Sequence, residues 1–165
     1  MTFPSKHKQI GVAVIINDQG EVLIDRRPVG GSFGGLWEFP GGKLEPGETA
    51  AECIVREVRE EIAIEVAVGE SLITIDHSYP QVRLTLYVHL CQYLSGQPQT
   101  IACEEIRWVA ITDLGEYRFP KANGEIIQPY AKSFSVDRAT QSGFSIILRQ
   151  KSGRCRGVAP YCLNP

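Results

Sequence analysis

The segment from Gly41 to Ile64 constrains this chain more than any other. It opens on Gly41-Gly42-Lys43-Leu44-Glu45-Pro46-Gly47-Glu48, where glycine and proline impose a shaped loop. It then passes straight into Thr49 to Ile62, which has the period of a helix. Ala51, Ile54, Val55, Val58 and Ile62 share one apolar face. Thr49, with Glu52 three residues on, makes a capping box at its start. Glu57, Glu60 and Glu61 are spaced i, i+3 and i+4, so they crowd an arc of about 100° beside the apolar stripe. Carboxylates that close repel one another, and a hard divalent cation, Mg²⁺ or Mn²⁺, would relieve the repulsion. Taken alone, such a helix is better explained by a solvated acidic face.

The rest of the chain supplies a scaffold for this unit. At 165 residues it has the size of one domain plus an appendage. Ile10 to Ile16 and Glu21 to Asp25 are strand-like runs joined by Asn17-Asp18-Gln19-Gly20, a hairpin pattern. Arg26-Arg27-Pro28 leads into a glycine-rich loop that continues through Trp37-Glu38-Phe39-Pro40. Leu72 to Asp76 is a short strand, and Val82 to Leu90 alternates apolar and polar residues as a long half-buried strand does. Ile106 to Ala110 is a further strand, and Phe119-Pro120 precedes a helix near Asn123 to Gln128. Strands mixed with two helices predict an α/β sandwich around a mixed sheet.

Charge and composition exclude other classes. The net charge of −2 does not suit a basic nucleic-acid binder, so nucleic acid is not an expected partner. No apolar run approaches the roughly 18 residues of a membrane span, and the polar N-terminus is not a signal peptide. A cytoplasmic protein with reduced thiols is expected, either a monomer or a small homo-oligomer. The five cysteines form no CxxC or Cys/His cluster, which argues against zinc. Cys53 and Cys91 fall in apolar-patterned segments and read as buried hydrophobes. The charge is unevenly spread: residues 131–165 hold six Lys/Arg and one Asp, a net of +5, and residues 1–130 a net of −7. The working domain is therefore placed in residues 1–130. Residues 131–165 form a basic tail of unassigned role, whose composition suggests disorder although Phe144 to Leu148 is apolar.

Read from Gly42, the motif runs Gly, five residues, Glu48, seven residues, Arg56-Glu57, Val58, Arg59, Glu60-Glu61, Ile62, Ala63, Ile64. This resembles the signature of the Nudix hydrolases, with every fixed position matched except one: Ala63 stands where the family has a second glycine. Glycine there suits a left-handed helix end, and alanine in that conformation costs about 1 kcal/mol. No carboxylate is lost by the exchange.

The resemblance implies a Nudix-type α/β/α sandwich in which this loop and helix bind divalent metal and polyphosphate. Carried onto this sequence, the metal-ligand candidates are Glu57, Glu60, Glu61 and the Gly41 carbonyl, with one more carboxylate from Glu104 or Glu105, Glu104 being taken as the candidate. Arg56 and Glu48 would brace the site through ion pairs. Leu36 to Gly42, Phe119 to Asn123 and Arg26-Arg27 are similar to segments of the MutT-type members, the 8-oxo-dGTP diphosphatases. By that similarity Asn123 would hydrogen-bond an oxidised purine, Phe39 would line its pocket and Arg27 would contact the nucleotide. Asn123 equally suits a helix N-cap, and Arg26 and Arg27 a solvated strand end. His77, Tyr79 and His89 fit a pocket lining less well than ordinary sheet positions.

The expected activity is metal-dependent hydrolysis of a nucleoside triphosphate to monophosphate and pyrophosphate, with Mg²⁺ as cofactor, and nucleotide-pool sanitation as its use. Two alternatives stand beside it. One is a Nudix hydrolase of ADP-ribose, a dinucleoside polyphosphate or ordinary dNTPs. The other is a noncatalytic module that reads oxidised guanine.

Overall fold

The computed structural model describes residues 6–128. The basic tail and its apolar stretch lie outside the described residues. The chain runs β1 (Lys6–Ile16), β2 (Glu21–Arg26), β3 (Trp37–Glu38), β4 (Gly41–Lys43), α1 (Ala50–Ile62), β5 (Ile64–Tyr79), β6 (Val82–Gly96) and β7 (Glu105–Ala110). Two 3-10 turns, Ile111–Glu116 and Lys121–Asn123, precede a short α2 (Gly124–Ile127).

The strands form a mixed sheet ordered β3-β2-β1-β6-β5, with β4 also paired to β1 and β7 to β2. β1 and β6 run parallel from Lys6↔Val82 to Ile16↔Gln92, while β5 and β6 form a long antiparallel hairpin. The second half of β1 is a continuous buried run because layers cover both its faces. The β1–β2 turn forms as its sequence predicts: the Asn17 side-chain oxygen accepts the backbone N–H groups of Gln19 and Glu21.

On one face Ile54, Val58 and Ile62 of α1 pack over Ala13, Ile15, Leu23, Ile64 and Cys91. On the other, Val12, Val14, Val22, Ile24, Ile75, Leu86 and Val88 meet Phe39, Leu114, Ala122 and Ile126. The result is the expected α/β sandwich. Cys53 and Cys91 are buried as expected. Three elements differ from the sequence expectation. β5 is far longer than the Leu72–Asp76 strand read from the pattern, because its solvent-facing positions give no apolar alternation. Trp37 to Gly42 contributes two short strands, since their backbone groups find partners on β2 and β1. The last helix is preceded by a 3-10 turn, which takes Asn123 into its own span. Among the described residues no helix is long and apolar enough to cross a membrane.

Candidate active site

The site is assembled where α1 meets the Gly41–Glu48 loop. Thr49 caps the helix: its hydroxyl accepts the Glu52 N–H, and the Glu52 carboxylate accepts the Thr49 N–H at 2.9 Å. The other end closes on Ala63, which is left-handed at φ 61° and ψ 34° and donates its N–H to the Arg59 carbonyl. The chain enters β5 at the next residue, so the turn from helix to strand is made at Ala63.

The loop is tied to the helix by one guanidinium. Arg56 donates to both carboxylate oxygens of Glu48 at 2.8 Å, to Glu57 at 2.8 Å and to the Lys43 carbonyl at 3.2 Å. Its distance to Glu60 is longer, 3.5 Å. The planar fork of Arg suits this paired grip in a way that Lys would not. The grip holds the Glu48 carboxyl down to about 2, through hydrogen bonds from Arg56 and then from the Glu45 N–H. Glu57 lies flat against the backbone of Gly42, where any side chain would collide with its carboxylate. The glycine is thus the seat of Glu57 as well as part of the turn.

Glu61 faces inward. Burial, then the charges of Glu57 and Glu38, raise its carboxyl to about 7, against a lowering pull from Arg27. Glu60 faces solvent, with 62% of its side chain exposed. Of the remaining candidates, Gly41 opens β4 opposite Val12. Glu104 accepts the Val29 N–H at 2.9 Å and stands 3.5 Å from Arg26, and Glu105 pairs with Arg26 and Arg107. Arg27 is bound to Glu38 at 2.6 Å and donates to the Ser32 carbonyl. Phe39 is buried and stacked on Phe119, centroids 5.3 Å apart at 25°. Asn123 begins α2, yet its side chain makes no capping bond. It lies next to Ala122, which belongs to the same core layer as Phe39.

Asp25, Glu38 and Phe119 are neighbours of the site that the sequence reading passed over. Asp25 is 7% exposed, and its carboxyl is raised to about 8 by burial, then by Glu38 and Glu61. Burial also raises Glu38, against the pull of Arg27. An acid directly after the apolar run Val22-Leu23-Ile24, still within the strand, was the available signal for Asp25.

The donor chemistry fits a hard divalent cation. The candidate ligands are oxygens, and burial, then repulsion from Glu57 and Glu38, raises Glu61. Among the described residues no group of three acidic, histidine or cysteine side chains is arranged to hold a metal ion. Mg²⁺ keeps several waters and shares its shell between one or two carboxylates and substrate phosphates, so it does not require three protein carboxylates already gathered.

The NUDIX domain profile matches residues 11–129 of the chain. The chain belongs to the Nudix hydrolases. This Nudix hydrolase is 32% identical over 122 residues to the 8-oxo-dGTP diphosphatase of Escherichia coli K12, an alignment covering 74% of the chain and 95% of the relative. The CTP pyrophosphohydrolase of the same organism is 51% identical over 59 residues, 36% of the chain and 44% of the relative. The MutT protein of Methanosarcina mazei superimposes with a TM-score of 0.71 at 24% identity, over 79% of this chain and 97% of that one, and confirms the fold. Divalent-cation dependence is general in this family, and its members act on nucleotides.

Proposed function

We propose that the chain hydrolyses a purine nucleoside triphosphate, 8-oxo-dGTP before others, to the monophosphate and pyrophosphate with Mg²⁺. The observation that carries the substrate class is Asn123, whose amide makes no capping bond and which follows Ala122 of the core layer that holds Phe39. An amide that donates and accepts together matches a purine edge. The near full-length relatedness to an 8-oxo-dGTP diphosphatase supports the same choice.

Glu57, Glu60 and Glu61, with the Gly41 carbonyl and Glu104, would hold the cation. Once bound, it would neutralise phosphate charge and acidify a water. The chain's own residues do the rest. Glu48 fixes Arg56, and Arg56 fixes Glu57 against Gly42, so that carboxylate is oriented before substrate arrives. The water oxygen attacks phosphorus and the bridging P–O bond breaks, releasing pyrophosphate. Glu60, open to solvent and only distantly paired with Arg56, takes the water proton on a carboxylate oxygen. Arg27 would turn from Glu38 to the nucleotide phosphates. Nucleotide-pool sanitation, in support of faithful DNA replication, is the use this chemistry serves.

Purified protein with Mg²⁺ and a nucleotide panel tests the proposal. Preferred turnover of 8-oxo-dGTP over dGTP and CTP is expected, and turnover of another nucleotide with none of 8-oxo-dGTP removes the substrate assignment. Glu60→Gln should lose about 100-fold in kcat while melting like the parent. A Glu60→Gln protein with full activity removes its role.

A further inference from the structure

Resting on the nucleotide reading above, we propose that Tyr79 is a further specificity-determining residue, held ready by Phe33. In this structure Phe33 covers Tyr79. When substrate binds, the nucleobase takes that place and supplies the partner that the Tyr79 hydroxyl lacks.

Three observations meet at this point. The Tyr79 hydroxyl is buried, with no hydrogen-bond partner among the described residues. Such a group costs free energy in the folded chain and persists only where something repays it. Next, the ring is gripped from two sides: Phe33 lies 5.2 Å away at 51°, and His77 lies 4.6 Å away edge-on. Third, Phe33 itself is poorly placed. It is 41% exposed, and its backbone is left-handed at φ 63°, a conformation that costs a bulky residue. A strained, half-exposed aromatic that covers an unsatisfied hydroxyl is readily displaced.

Position ties these residues to the nucleotide site. Side chains alternate along β5, so Ile75, His77 and Tyr79 share one face. Ile75 belongs to the apolar layer that contains Phe39 and Ala122. Phe33 sits in the loop whose Arg27 N–H and carbonyl close it onto Leu36 and Gly35, and whose Val29 N–H rests on Glu104. The loop therefore links the phosphate-side residues Arg27 and Glu104 to the tip of the β5–β6 hairpin. A planar base can replace the Phe33 ring on Tyr79, and a ring nitrogen or carbonyl on its edge can accept from the hydroxyl.

Binding of 8-oxo-dGMP, measured by calorimetry on the full chain, tests this. Tyr79→Phe should weaken that binding about 10-fold, equivalent to about 1.4 kcal/mol. Binding of tripolyphosphate, which has no base, should be unchanged. The melting temperature of ligand-free Tyr79→Phe should equal or exceed the parent's, since the variant removes an unsatisfied group. Phe33→Ala should bind 8-oxo-dGMP more tightly, because the base no longer displaces a ring. Unchanged 8-oxo-dGMP affinity in Tyr79→Phe overturns the proposal. So does a drop in its melting temperature, which would reveal a structural partner for the hydroxyl, and so does weaker binding to Phe33→Ala. If the nucleotide panel shows a different substrate, the same variants are compared on that substrate's monophosphate. The two readings thus fail separately.

Discussion

At the scale of single residues the site is a balance among carboxylates. Glu61 and Asp25 hold their protons more tightly folded than unfolded, with carboxyls raised to about 7 and about 8. The sign follows: their contribution to stability is complete below the ordinary carboxylate range and is lost as pH rises through those values. The metal-free protein should therefore lose melting temperature steadily from about pH 5 to about pH 8. Added Mg²⁺ should restore more at the upper end than at the lower, and Asp25→Asn should flatten the fall. Thermal melts across pH check all three, and a flat metal-free profile would show these acids titrating normally. Gly42→Ala probes a different relation. Its new methyl collides with the Glu57 carboxylate, so activity should fall by about 10- to 100-fold through a misplaced ligand. Restored activity at high Mg²⁺ would locate the defect in metal affinity.

At the scale of elements, α1 is held at both ends by features with known costs. Thr49→Ala removes the reciprocal cap and should cost about 1 kcal/mol. Ala63→Gly relieves a left-handed alanine and should return about 1 kcal/mol. Denaturant melts of the two variants should therefore move in opposite directions, and a destabilised Ala63→Gly would show that Ala63 packs usefully. These caps were legible in the sequence because they depend on neighbours within four residues, as do the helix face and the β1–β2 turn. β3 and β4 were not, since each is too short to carry a pattern and exists only because β2 and β1 lie alongside. Asp25 escaped notice for a related reason. β2 is covered on both faces, so it shows no alternation against which one inward acid stands out. Asn123 read equally as a cap or as a binding group, and in the structure it closes a 3-10 turn and makes no capping bond to α2.

At the scale of the whole molecule, the described residues hold two apolar clusters and the candidate site. Both apolar clusters are built from residues between Ile10 and Ile127, and every candidate site residue falls within the same span. We propose that the basic stretch after residue 130 takes no part in hydrolysis. A chain ending at residue 134 should keep kcat and KM for the preferred nucleotide, with a melting temperature within about 2 °C of the parent. The positive charge suggests the opposing outcome. If those Lys and Arg residues touch the polyphosphate, truncation should raise KM at low salt, and the difference should shrink as salt screens it. A raised KM with that salt dependence would enlarge the active site beyond residue 130. A large fall in melting temperature would instead give the stretch a place in the packing. Equal kinetics and equal melting would leave the 6–128 region with both the core and the chemistry, its acidic excess waiting on a cation before a polyanionic substrate can approach.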